Sequence, residues 1–146
     1  MCYSYENCYF MKKHNKVLIF GKDPGICQLI AISVNAVCQR TGVYIEEYII
    51  KSSDEIEPDE KFDIVIVNEF PVLKELIENK NILLQNFGKI VLLTSYQADI
   101  EQVEKFSNTI KTAKKEFGSD FMSQIERIVL LELGLVRPMR AVAVSQ

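Results

Sequence analysis

Residues 62–67, Phe62-Asp63-Ile64-Val65-Ile66-Val67, form a nearly continuous apolar run with one charge near its start. An unbroken run of this length, rich in β-branched residues, predicts a central parallel strand covered on both faces. A parallel strand needs crossover connections to its neighbours, and the flanking sequence supplies them. Lys16-Val17-Leu18-Ile19-Phe20 is a second short apolar run, stopping at Gly21, and Lys89 to Thr94 (KIVLLT) is a third. Val43 to Ile50, with β-branched and tyrosine residues around Glu46-Glu47, reads as a further strand, and Thr109 to Ala113 as a short fifth.

Helical patterns lie between these runs. Asp23 stands where an N-cap belongs, with Pro24 at the first helical position. The helix that follows is expected to reach about Arg40 and to end at Gly42 in a left-handed conformation. Its apolar residues, among them Ile26, Cys27, Leu29, Ile30, Val34 and Val37, cover more than one face. Ser52 to Glu60 (SSDEIEPDE) is acidic and carries Pro58, so it reads as a loop. Pro71 opens a helical pattern that runs through Val72, Leu73, Leu76 and Ile77 and continues, whole or with a break, through Leu83, Leu84 and Phe87. Ala98 to about Asn108 is helical, and Ser119 or Asp120 caps a last helix ending near Gly134. Alternating strands and helices mean right-handed crossovers and helices on both faces of the sheet. The expected fold is a doubly wound, five-stranded parallel sheet in a three-layer α/β/α domain. It spans residues 16–134, between an N-terminal extension (1–15) and a C-terminal tail (135–146).

Composition agrees with one globular domain. The chain has 146 residues, 48% hydrophobic and 25% charged, with six Gly and four Pro, which excludes disordered and collagen-like classes. The longest apolar stretch, Ile26 to Cys38, is broken by Gln28, Ser33 and Asn35, short of the ~18 residues of a membrane span. A net charge of −3, with Lys111, Lys114 and Lys115 followed at once by Glu116, argues against a nucleic-acid grip. Four cysteines (Cys2, Cys8, Cys27, Cys38) form no CxxC, and His14 is the single histidine. No zinc site and no disulfide framework are therefore expected. The opening MCYSYENCYF lacks a basic region and a continuous apolar core, so it is no secretory signal. A cytoplasmic protein with reduced thiols is the expectation.

In doubly wound sheets the chemistry gathers at the carboxyl ends of the strands. The residues placed there are Gly21, Lys22 and Asp23 after the first strand, Asn68 and Glu69 after the third, Thr94 after the fourth, and Lys115 after the fifth. On these stretches the chain resembles the receiver domain of two-component response regulators, from about Lys16 to Gly134. KVLIFGKDPG is similar to the family's first strand, acidic turn and first helix. KFDIVIVNEFP is similar to the third strand with the phospho-acceptor, KIVLLTS to the fourth strand with its switch hydroxyl at Thr94, and KKEFGSDFMSQIERIVLLELG to the lysine turn and last helix, with Lys115 at the lysine position. The resemblance implies a flavodoxin-like fold.

It also implies a pocket that has lost its chemistry. The family holds Mg²⁺ with two adjacent acids after the first strand, and these positions fall on Gly21 and Lys22. The acceptor aspartate falls on Asn68, or on Val67 if the count runs back from Pro71. A lysine opposes a cation that needs anionic oxygens, and an asparagine amide is no nucleophile towards phosphoryl groups. Asp23 is a candidate substitute acid as well as an N-cap. Glu69 is a candidate fixed mimic of a phosphoryl charge as well as a loop carboxylate.

Without phosphorylation the surfaces remain. The family uses its fourth helix, fifth strand and fifth helix for dimers or partners, which makes Ile100, Val103, Phe106, Met122, Val129, Leu130 and Leu133 the candidate interface. Residues 129–136 are apolar nearly all round, so something must cover them: the chain itself or a second subunit. No helix-turn-helix is expected after the last helix. The expectation is a stand-alone, phosphorylation-independent receiver-like protein: no enzyme, no cofactor, no metal, no nucleic acid and no membrane, with a protein partner or a second copy (a homodimer) as its target. The alternative is a small-molecule- or nucleotide-binding domain using the same crevice, although FGKDPG is neither GxGxxG nor GxxxxGK[ST]. A cysteine sensor built on Cys2 and Cys8 is a third option.

Overall fold

The computed structural model describes residues 15–135. The segment with Cys2, Cys8 and His14, with the cysteine-sensor expectation placed on it, and the residues from 136 onward lie outside the described residues. In chain order the elements are β1 (Asn15–Phe20), α1 (Pro24–Thr41), β2 (Ile45–Ile50), β3 (Phe62–Asn68), α2 (Phe70–Glu78), β4 (Phe87–Thr94), α3 (Gln97–Phe106), β5 (Ile110–Lys114) and α4 (Ser119–Glu132). All five strands are parallel, in the order β2-β1-β3-β4-β5. β3 is central, as its unbroken apolar run requires.

Side chains alternate between the two faces of each strand, and the core divides accordingly. Val17, Ile19, Ile64, Ile66, Val91 and Leu93 pack against α1 and α4. Leu18, Phe20, Val65, Val67 and Leu92 pack against α2 and Val103 of α3. Burial on both faces forces helices onto both sides, giving the three layers.

Local chemistry sets the ends of α1. Asp23 Oδ1 accepts from the backbone N–H of Gly25 (2.9 Å) and Ile26 (3.2 Å), with Pro24 behind it. At the far end Gly42 takes φ 74° and donates its N–H to the Cys38 carbonyl at 2.9 Å. In the acidic loop after β2, Ser52 and Glu55 cap a short 3₁₀ turn over Ser53–Glu55 reciprocally, and Ile56 tucks into the core.

Several expected boundaries shift. Asn15 belongs to β1, opposite Ile45, and its Nδ2 donates to the Tyr44 carbonyl at 3.1 Å. Leu135 belongs to the domain rather than the tail, its N–H donating to the Leu130 carbonyl at 2.8 Å. β2 starts at Ile45 rather than Val43. The helix opened at Pro71 stops at Glu78, so the pattern breaks there; Leu84–Asn86 form a separate 3₁₀ turn and Phe87 starts β4. Asn79 explains the stop: its Oδ1 accepts from the Asn81 N–H (2.9 Å) and its Nδ2 donates to Ser53 Oγ (2.8 Å), so the side chain competes with the helical ladder. The cap position of α4 is Gly118, at φ 62°, rather than Ser119 or Asp120.

The candidate interface is also corrected. Ile100, Val103 and Val129 are buried within the chain and cannot line an exposed surface. Helical periodicity marks an apolar face without saying what covers it, and here the sheet and α1 do. Leu130 and Leu133 are half-buried against the α1–α4 core, and Met122 is half-buried. Leu131 is the large apolar side chain of this helix end that stays exposed. Phe106 is the last residue of α3.

Candidate functional site

The site grows from the ends of β3 and β5. Asn68 closes β3 opposite Leu93 and is only 2% exposed. The next residue, Glu69, takes φ 86° and ψ 144°, a backbone conformation that favours glycine and costs a longer side chain about 1–3 kcal/mol. Its N–H donates to the Leu93 carbonyl at 2.8 Å, so the strained residue is pinned to the neighbouring strand.

Lys115 is positioned from behind. Its N–H donates to the Thr94 carbonyl at 2.9 Å. On either side of it, Gln124 of α4 donates to the Lys114 carbonyl (2.8 Å) and accepts from the Glu116 N–H (3.0 Å). The ammonium then reaches across β4. It donates to Asn68 Oδ1 at 2.8 Å and forms an ion pair with the Glu69 carboxylate. The Lys115 side chain is 10% exposed and that of Glu69 34%, so the cation is sealed by its own partners.

Gly21 lies against Asn68. A Cβ at this position would stand 2.8 Å from Cys27 Sγ and 3.1 Å from Asn68 Cβ, so only glycine fits without displacement. Gly21, Asn68, Glu69 and Lys115 thus come together. The other three candidates are occupied elsewhere. Lys22 forms an ion pair with Glu75 (3.0 Å) and donates to the Lys51 carbonyl. Asp23 caps α1. Thr94 is fully buried, and its hydroxyl donates to Asp99 Oδ2 at 2.8 Å and accepts from the Tyr96 N–H at 3.2 Å. Val67, the other position for an acceptor, lies in the core.

These residues do not fit a Mg²⁺ ion. The donor set near Asn68 has an ammonium at its centre, one carboxylate already paired with it and a neutral amide, whereas Mg²⁺ takes hard anionic oxygens in an octahedron. Among the described residues no group of three or more His, Cys, Asp or Glu side chains is arranged to hold a metal ion. Burial and the nearby Asp23 charge push the Cys27 thiol up from its ordinary pKa, so this cysteine is an inert core residue.

Two residues that build the site escape the sequence reading, Gln124 and Asp99. Gln124 interrupts the stripe Phe121, Ile125, Ile128 with a polar side chain next to core positions. That signal was available in the sequence, but its partners eight and ten residues away were not. The described surface also holds a cleft of about 420 Å³ at the opposite, amino end of the sheet, walled by Ile77, Leu84, Phe87 and Ile110.

No protein-family model and no curated protein sequence matches the chain. Among solved structures it is similar to the solution NMR structure of a de novo designed Rossmann 2x3 fold protein. The TM-score is 0.55 at 20% identity, covering 82% of this chain and 91% of that one. At that identity the likeness speaks to fold alone, a parallel α/β sheet layered between helices. No helix among the described residues is long and apolar enough to cross a membrane.

Proposed function

We propose that this chain is a receiver-like signalling domain of flavodoxin-like fold that works without phosphorylation, as a binding protein rather than an enzyme. The strand order β2-β1-β3-β4-β5, with α1 and α4 on one face, is the flavodoxin order and supports the finer fold reading. One observation carries the functional reading: Lys115 is held by Asn68 and Glu69. The Glu69 charge stands beside the cation from within the chain, where a phosphoryl group would otherwise supply it, so the crevice needs neither phosphate nor metal to keep its form.

The output is contact with a partner protein or with a second copy. Tyr96 and Phe117 leave the sheet at the same end as Asn68 and Lys115 and are 64% and 83% exposed; aromatics of this kind are favoured anchors in protein interfaces. The test is incubation with a small phosphodonor, or with BeF₃⁻ and Mg²⁺, followed by intact mass and amide NMR shifts. The expected result is an unchanged spectrum and mass. Mg²⁺-dependent modification would overturn the reading.

A further inference from the structure

We propose that Lys115 and Asn68 are a site of self-modification: the Lys115 amine attacks the Asn68 side-chain amide, and an isopeptide bond joins the ends of β3 and β5. The three groups this chemistry needs are in place. Lys115 is the nucleophile, Asn68 the carbonyl with an amide leaving group, and Glu69 the carboxylate that moves the proton. Nζ lies 2.8 Å from Oδ1, which puts it within about 4 Å of Cγ, one C=O bond of ~1.23 Å further on. Reactions between groups held this close gain greatly from the prepaid loss of motion.

The surroundings favour the same outcome. Asn68 is 2% exposed and the Lys115 side chain 10%, so water has little access to compete. Asn68 Nδ2, the departing nitrogen, makes no hydrogen bond among the described residues and lies on the Gly21 side, 3.6 Å from where a Cβ would stand. The positive φ of Glu69 accompanies a carboxylate delivered directly to the ammonium.

The step balances. Glu69 takes a proton from the Lys115 ammonium, and the freed Nζ lone pair forms a bond to Asn68 Cγ while the carbonyl π pair moves to Oδ1. Glu69 returns the proton to Nδ2, the Oδ1 pair re-forms the carbonyl, and the Cγ–Nδ2 bond breaks. The nitrogen leaves as ammonia, and the second proton of the former ammonium is lost to solvent. No oxidant, metal or co-reactant takes part. The product removes the one charge that Glu69 neutralises and bridges β3 to β5 over β4, closing the crevice covalently. The inference goes beyond the receiver-like reading and shares its residues. Before the bond forms Glu69 balances the Lys115 cation; after it the amide itself holds the strand ends. In neither state does the crevice take a phosphoryl group, so the phosphodonor result and the chain mass fail independently.

The test is the intact mass of the full chain under denaturing conditions after incubation at neutral and mildly alkaline pH, with tryptic peptides mapped by fragmentation. The expected result is a loss of about 17 Da, one ammonia, and a branched peptide containing Lys115 and Asn68. Lys115→Arg should restore the full mass, and Glu69→Gln should slow the loss at least tenfold while circular dichroism shows the fold intact. A chain at its full sequence mass with both tryptic peptides linear overturns the proposal. So does a loss that persists in Lys115→Arg, which would mark a cyclic imide instead.

Discussion

Lys115 and Asn68, 47 residues apart in the chain, meet across β4 at 2.8 Å, tying the end of the central strand to the end of an edge strand. Their contact exists because the parallel register places Thr94 opposite Lys114 and Asn68 opposite Leu93, which brings three strand ends level.

Replacing Lys115 by Met removes the donor and leaves the buried Asn68 carbonyl oxygen unsatisfied. A buried polar atom without its partner costs about 1–3 kcal/mol. Urea unfolding should show a lower midpoint, with an unchanged slope relative to wild-type chain at its full sequence mass and a steeper one relative to chain joined through Lys115 and Asn68.

Glu69 supports two opposed effects, backbone strain and an ion pair. Glu69→Ala and Glu69→Gly both lose the pair, but only glycine also relieves the positive φ. The Gly variant should be the more stable of the two by about 1 kcal/mol, read from paired denaturation curves. Equal stabilities would mean that the backbone relaxes once the carboxylate is gone.

Gly21→Ala should destabilise by about 1–3 kcal/mol, because the added methyl meets Cys27 Sγ and Asn68 Cβ inside contact distance. Adding Cys27→Ala opens space for it. A double-mutant cycle in thermal melts should recover part of the loss.

Gln124→Leu keeps the volume of a core position but leaves the Lys114 carbonyl and the Glu116 N–H without their partner. The expected cost is about 1–3 kcal/mol. Amide exchange at residues 115 and 116 should accelerate more than in β1, which would locate the loosening at the lysine turn.

Glu75 gives the pH dependence. The Ser53 backbone N–H, donating at 2.8 Å, and then the Lys22 ammonium hold its carboxyl below the usual carboxylate range. A depressed folded value means that the stabilisation is complete above the unfolded pKa and is lost as pH falls through the folded one. Melting temperatures measured downward from pH 6 should therefore fall more steeply for the wild type than for Glu75→Gln. Parallel curves would assign the acid sensitivity to other carboxylates.

Much of the architecture could be read from the chain because its causes are local. FDIVIV announces a strand covered on both sides through its lack of alternation, and Asp23-Pro24 with Gly42 sets α1 through hydrogen bonds that span at most four residues. The limits of α2 were less legible, since Asn79 ends it by bonding Ser53, 26 residues away.

The contacts across the sheet were not in the linear pattern at all. Periodicity assigns Ile100, Val103 and Val129 to apolar faces, but whether a face meets its own sheet or another molecule depends on how crossovers stack. Likewise, the pattern could not say which of Val67 and Asn68 stands in the core and which at the strand end, since one residue of register moves a side chain from one to the other. That choice, and with it the meeting of Asn68, Glu69 and Lys115, arises only when separate strands align, because hydrogen bonds between distant residues are set by sheet geometry rather than by sequence neighbours.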